Sequence, residues 1–108
     1  MSATNDGGPA AGAKHDAGKV RAALPIQDFP RALVAVAWVS TFGAEKYAAH
    51  SWLNVPNASE RYEDALHRHI LAKASGETND TESGLPHAAH IAWNALALLE
   101  LQLRKPTP

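Results

Sequence analysis

Residues 59–94 combine two stretches of helical periodicity with a polar segment between them, and this pattern restricts the fold more than any other part of the sequence. Polar side chains in both stretches recur at intervals of three and four residues, so each set forms a stripe along a helix. Residues 76–84 separate the stretches and contain three carboxylates and no apolar side chain. The sequence therefore predicts two helices joined by an acidic loop. The two stripes are Glu60, Glu63, Asp64 and His67, followed by His87, His90 and Asn94.

The whole chain is predicted to contain three long helices. The first begins near Pro30 and has the broad apolar face expected of a core helix. The second covers about residues 60–74, with Ser59 as its N-cap, and the third runs from Pro86 to about residue 104. No stretch alternates clearly enough between polar and apolar residues to predict a strand. The expected fold class is therefore all-α.

The length of 108 residues predicts one small domain at residues 14–105, preceded by a disordered tail at residues 1–13. A domain of this size buries only roughly 60–70% of the surface that its unfolded chain exposes. Because three helices make a thin core, we expect a small helical bundle that is completed by oligomerisation, as a homodimer or a homotetramer.

The composition excludes several classes of function. The formal charge of −1 provides no broad electrostatic field for nucleic acid or a membrane. Cysteine is absent from the sequence, which excludes disulfides and thiolate metal sites and suits a reducing cytoplasm. The sequence contains no apolar run long enough for a membrane span. We therefore expect a cytoplasmic protein with neither nucleic-acid nor membrane partners.

The polar side chains of residues 59–94 offer two kinds of metal ligand. Carboxylates suit Mg²⁺ or Mn²⁺, which bridge substrate phosphates, whereas imidazoles suit zinc, iron or manganese. Acidic residues in a first helical turn also complement the helix dipole, and paired histidines are common in cores. The residues alone leave these alternatives open. The candidate carboxylates are Glu60, Glu63, Glu77 and Asp80, and the candidate histidines are His69, His87 and His90.

Cationic and aromatic residues lie outside this stretch. Residues 14–21 form a basic segment with a glycine, which is either a solvated linker or an arm that contacts phosphate through Lys19. Tyr47 and Trp52 flank a second cationic region at Lys46. Such aromatic residues usually pack in a core, but beside a lysine they also suit a base and a phosphate.

Short motifs that suggest a family extend over residues 14–100. The most specific block runs from Gly76-Glu77 through Asp80 and Ser83-Gly84 to His87-x-x-His90-x-x-x-Asn94; weaker motifs are Asp16-x-Gly18-Lys19, Leu24-Pro25, Phe42-Gly43-Ala44-x-Lys46-Tyr47, Trp52 and Arg68-His69. In these motifs the chain resembles the phage and prophage dATP/dGTP diphosphohydrolase family, which is related to the MazG/MazZ-like all-α nucleoside triphosphate pyrophosphohydrolases.

The resemblance implies a MazG-like all-α fold and hydrolysis of a deoxynucleoside triphosphate, dGTP or dATP, to the monophosphate and pyrophosphate. It also implies dependence on Mg²⁺ or Mn²⁺. The metal-binding pattern of the wider superfamily fits Glu60 and Glu63 together with Glu77 and Asp80. A second placement puts the two histidines of the His-x-x-His motif where the second carboxylate pair would be. Both placements stay open.

The predicted mechanism is metal-assisted, in-line attack of water on a phosphoryl group. A carboxylate or a histidine, from the set Glu63, Asp64 and His69, accepts the proton. Lys19, Lys46 and Arg68 are predicted to contact phosphate, and Trp52 to stack on the base. The complete predicted metal-binding set is Glu60, Glu63, Asp64, Glu77, Asp80, His87 and His90, and the predicted substrate-binding set is Lys19, Lys46, Trp52, Arg68 and Asn94.

Two other classes of function remain as alternatives. The same acids and histidines suit a metal-stabilised helical module that binds a nucleotide or a partner without turnover. A phosphohydrolase of the His-Asp type fits less well, because Asp64 precedes His69 and the adjacent His15-Asp16 pair is near the chain end. Metal-dependent release of pyrophosphate from dGTP separates these classes.

Overall fold

The computed structural model describes residues 16–105. In this part of the chain the regular secondary structure consists of helices joined by loops. It contains no β-strand, so the predicted all-α class is confirmed. The tail predicted at residues 1–13 lies outside the described residues. The α-helices are α1 (Ala23–Asp28), α2 (Pro30–Lys46), α3 (Ala58–Ala74) and α4 (His87–Arg104), and a 3-10 turn covers Ser51–Asn54 between α2 and α3.

The start of α2 agrees with the prediction, but a short helix precedes it. α1 ends where the backbone N–H of Phe29 donates to the carbonyl of Pro25. Pro30 then occupies the first position of α2, where its missing N–H costs no hydrogen bond. Because a residue before proline is disfavoured in helical geometry, the chain breaks at Phe29 instead of forming one long helix.

Ser59 is not the N-cap of α3, and that prediction is wrong. The cap is Asn57, whose carbonyl accepts the first helical hydrogen bond from the N–H of Arg61 at 3.0 Å. Asn57 has a left-handed backbone with φ of 54° and makes no side-chain capping bond. Asparagine tolerates this conformation better than most residues. α4 begins within one residue of the prediction, with Pro86 as its N-cap.

α4 is the central helix. Its contact with α3 is the most extensive between any two helices of the described part, and its contact with α2 is smaller. Because α2 and α3 contact α4 more than each other, a groove remains between them with α4 at its base. The acidic loop between α3 and α4 closes one end of this groove.

The apolar core is small. Val39, Ala89 and Ala97 are the buried apolar residues of the described part, while large side chains such as Trp38 remain 58% exposed. The radius of gyration is 18.6 Å, whereas a compact domain of about 100 residues has about 13 Å. One copy of residues 16–105 therefore leaves apolar surface uncovered, and the oligomer stays a prediction. Among these residues, no helix combines the length and apolar character needed to cross a membrane.

Candidate functional site

The loop between α3 and α4 is fixed by its own backbone hydrogen bonds. The N–H of Asp80 donates to Leu85 at 2.8 Å, and the N–H of Gly84 donates back to Asp80 at 2.8 Å. The N–H of His87 donates to the carbonyl of Thr78 at 2.9 Å. Gly84 has φ of 74°, a conformation that favours glycine. The loop therefore holds its carboxylates over the first turns of α4.

Two histidines and a glutamate form a hydrogen-bonded chain at the end of the groove. The Nδ1 atoms of His69 and His87 lie 2.8 Å apart, and His87 Nε2 lies 2.6 Å from Glu77 Oε1. An ionised carboxylate only accepts, so His87 donates from Nε2. A neutral His87 then accepts at Nδ1 from His69, which leaves Nε2 of His69 unprotonated. Glu77 thus sets the tautomers of both imidazoles.

Asp80 completes a group that is able to hold a metal ion. One ligand atom from each of His69, Asp80 and His87 lies within 4.8 Å of the other two. Two imidazole nitrogens and a carboxylate oxygen are a donor set that suits zinc, iron or manganese, and less readily magnesium. His87 is only 2% exposed, so water competes weakly for this position.

The carboxylate of Asp80 is held in its ionised form. Burial acts to raise its pKa, but hydrogen bonds from the backbone N–H and the hydroxyl of Ser83 outweigh this effect, and the pKa lies below the usual value. The Oδ2 atom accepts from the N–H groups of Ser83 at 2.8 Å and Glu82 at 3.1 Å. A carboxylate fixed in this way is ready to coordinate a cation at neutral pH.

His90 stacks on His69 next to this group. The two ring centroids are 4.4 Å apart and the planes differ by 7°. Burial lowers the pKa of both side chains, so both imidazoles are neutral at pH 7. His90 Nε2 also lies 2.7 Å from the hydroxyl of Ser83, which connects it to the loop. Sequence reasoning missed Ser83, although it lies in the Ser83-Gly84 motif.

The groove beside the metal-binding group has a volume of about 1050 Å³. His69, Asp80 and His90 line one end of it, and apolar residues of α2 and α4 line the other. Three aromatic rings lie along it: the centroids of Trp52 and Trp93 are 6.0 Å apart, and those of Tyr62 and Trp93 are 5.5 Å apart. Trp52 is thus one of the predicted substrate-binding residues that line the groove, whereas Tyr62 and Trp93 were not among the predicted residues.

The cationic residues occupy different places. Lys46 lies at the mouth of the groove and forms an ion pair with Glu82 at 2.5 Å, and this hydrogen bond raises the pKa of Lys46. Arg68 also lines the groove and is exposed. Lys19 lies instead in a separate surface pocket with Asp16 and Gln27. Of the predicted phosphate contacts, the structure brings Lys46 and Arg68 to the groove and leaves Lys19 apart from it.

The acidic stripe of α3 lies away from the histidines. Glu60, Glu63 and Asp64 are exposed, and the nearest ionic partner of Glu63 is His67 at 3.4 Å. Since an α-helix turns by about 100° per residue, these carboxylates lie about 120–180° around the helix axis from His69. His69 faces α4, so the stripe points to the other side. The structure therefore brings Glu77, Asp80, His87 and His90 together with His69, but it does not bring Glu60, Glu63 and Asp64 to them.

Comparisons with known proteins confirm the family resemblance found in the sequence. A family model described as "dATP/dGTP diphosphohydrolase, N-terminal" matches residues 9–107. A protein of Salmonella phage PMBT28, named dATP/dGTP diphosphohydrolase, is 38% identical over 96 residues, which cover 89% of this chain and 31% of that protein. The chain thus spans about a third of the length of this relative. No solved structure matches the chain.

Proposed function

The chain belongs to the dATP/dGTP diphosphohydrolase N-terminal family, and we propose that it hydrolyses dGTP or dATP to the monophosphate and pyrophosphate. The observation that carries this proposal is the convergence of His69, Asp80 and His87 at one end of a groove with aromatic side chains. A cation site next to a nucleotide-sized groove is the arrangement that metal-assisted phosphoryl chemistry requires.

The metal in this proposal is Mn²⁺ or Mg²⁺, which would be held by His69, Asp80 and His87. It would take the Nδ1 lone pair of His87 that otherwise accepts from His69. When bound there, a divalent cation neutralises phosphate charge and lowers the pKa of a coordinated water. Imidazole is the poorer partner for the harder ion, so Mn²⁺ is expected to serve better than Mg²⁺. Glu77 has the role of orienting His87, as carboxylates beside metal-binding histidines commonly do.

The remaining side chains of the groove position the substrate. In this proposal Lys46 and Arg68, which line the groove, contact the phosphates. Trp52 contacts the base together with Tyr62 and Trp93, which lie beside it. Of the three proton acceptors predicted from the sequence, His69 is the one that lies at the groove. Because the cation would take its one free lone pair in this proposal, His69 would act as a metal ligand and not also as the proton acceptor.

The test is release of pyrophosphate from dGTP, dATP and the other deoxynucleoside triphosphates by the purified chain with Mn²⁺ or Mg²⁺. Asp80→Asn removes a charged ligand and is expected to reduce kcat/KM by on the order of 10²-fold or more. Glu45→Gln, which changes an exposed carboxylate of α2 outside the groove, is the matched control. If Glu63→Gln abolished activity and Asp80→Asn did not, the outer stripe of α3 would carry the site instead.

A second candidate is a nucleotide-binding module without turnover. It is favoured by one observation: the chain spans only 31% of the phage relative, so more than two thirds of that protein lies outside the shared part, and its name does not say which part carries catalysis. Binding of dGTP with no pyrophosphate release, under conditions in which Mn²⁺ binds, would support this candidate. We further propose action in the cytoplasm of a phage host, in nucleotide metabolism, as a homodimer or homotetramer that binds neither nucleic acid nor membranes.

A further inference from the structure

Asn94 is a buried polar residue. Within the described part of the chain, only one of the two polar atoms of its side-chain amide makes a hydrogen bond. It is 4% exposed and lines the groove from α4. Its Nδ2 donates to the backbone carbonyl of His90 at 2.8 Å. A carbonyl only accepts, so the amide nitrogen must face His90 and the orientation of the amide is fixed. The oxygen of Asn94 is then left as an acceptor, and no donor from residues 16–105 bonds to it.

An acceptor in this position needs a donor. Buried polar groups of proteins nearly always have a hydrogen-bond partner, and those that lack one call for an explanation. Asn94 lies against an open groove, so a ligand is able to reach it. The donor that satisfies its oxygen therefore belongs to what the groove binds.

The position of Asn94 along α4 identifies the part of a nucleotide that it meets. It lies one helical turn after His90 and seven residues after His87, which corresponds to about 10 Å along the helix axis from the metal-binding histidine. Its neighbour Trp93 belongs to the aromatic cluster with Trp52 and Tyr62. In a bound nucleotide the phosphates would lie at the cation. The nucleoside would then lie farther along α4, beside Asn94.

We propose, on the basis of the function proposed above, that the amide oxygen of Asn94 accepts a hydrogen bond from the Watson–Crick edge of a purine base. Adenine offers its 6-amino group there and guanine offers its N1–H. One acceptor therefore serves both purines. Asn94 is a base-recognition residue in this assignment, because a base analogue without a donor at that edge leaves its oxygen buried and unpaired.

The experiment compares dATP with 2′-deoxypurine riboside triphosphate, which lacks the 6-amino group. For the unaltered chain we expect kcat/KM to be on the order of 10- to 100-fold lower with the analogue. Asn94→Ala should lower kcat/KM for dATP and leave the analogue nearly unchanged, so the discrimination disappears. Gln102→Ala, which truncates an exposed amide on the same helix, should keep it.

A binding measurement separates this inference from the proposed activity. Dissociation constants for dAMP and 2′-deoxypurine riboside monophosphate need no turnover, and the same loss of discrimination is expected in Asn94→Ala. If pyrophosphate release is absent but this binding pattern is present, the proposed activity is refuted and the proposed role of Asn94 is supported. Equal handling of the two nucleotides by the unaltered chain, in both measurements, overturns the role of Asn94 whether or not the variant folds. A discrimination between dATP and 2′,3′-dideoxyATP that Asn94→Ala removes would assign the oxygen to the sugar hydroxyl and also overturn it.

Discussion

The Nδ1 atoms of His69 and His87 lie 2.8 Å apart, although the two residues come from different helices. This contact requires that one nitrogen carries a proton and the other does not, since two N–H groups would repel each other. Glu77 determines which nitrogen carries the proton. It accepts a hydrogen bond from Nε2 of His87, so Nδ1 of a neutral His87 is unprotonated. The ability of the site to hold a cation thus depends on a carboxylate of the loop.

The first prediction concerns this carboxylate. Glu77→Gln keeps the size of the side chain but removes the acceptor-only group that fixes the tautomer of His87. We expect the affinity for Mn²⁺ to fall by roughly 10- to 100-fold, as for other partners of metal-binding histidines. Calorimetric titration with Mn²⁺ measures this, with Glu45→Gln as the control. Unchanged Mn²⁺ affinity in Glu77→Gln would mean that Glu77 does not orient a metal-binding His87.

The second prediction concerns stability and pH in the absence of metal. Burial lowers the pKa of His69 and His90 in the folded chain. In the unfolded chain both histidines have the ordinary pKa of about 6.5. The unfolded state therefore binds more protons between the folded and unfolded pKa values, and stability rises with pH in that range. We expect the free energy of unfolding to be highest above about pH 7 and to decrease as the pH falls below about 6.5.

Urea denaturation in the presence of a chelator, at several pH values between about 7.5 and 5.5, measures this dependence. His90→Gln should weaken it, because one of the two depressed groups is gone. His67→Gln should leave it unchanged, since His67 is exposed on the outer face of α3. Stability that stays constant over the whole range would contradict the prediction.

The third prediction concerns the ion pair between Lys46 and Glu82 at the mouth of the groove. Glu82→Gln removes the carboxylate that forms an ion pair with Lys46. The ammonium group of Lys46 is then free to bind a triphosphate. An exposed ion pair is weak because water screens it, so KM for dGTP should decrease only slightly, by roughly 2-fold. The decrease should become smaller at high salt. Steady-state kinetics test this, and a KM that rises in Glu82→Gln while Glu45→Gln has no effect would refute it.

The fourth prediction concerns assembly. Trp38 is 58% exposed on α2, and the described part of the chain buries few apolar side chains. Apolar surface of this kind is usually covered by another protein surface, so we expect at least a dimer at micromolar concentration. Trp38→Lys should shift the equilibrium toward the monomer. Light scattering over a concentration series measures both, and a monomeric unaltered chain would count against the prediction.

Local sequence patterns determined the helices. The three- and four-residue spacing of residues 59–94 predicted α3 and α4, and Pro30 marked the start of α2, because periodicity and backbone restriction act over a few neighbouring residues. The same patterns gave no sign of the Asn57 cap. That cap depends on a left-handed backbone conformation, which the residue type permits but does not require.

The tertiary structure decided which of the predicted ligands meet. Spacing places Glu60 and Glu63 on one stripe and His69 on another, but it does not say which stripe faces α4. Packing turned the histidine toward α4 and left the carboxylates exposed, since burying unpaired charges is far more costly than burying a hydrogen-bonded imidazole. The acidic loop, held by backbone bonds, then supplied Glu77 and Asp80 in their place.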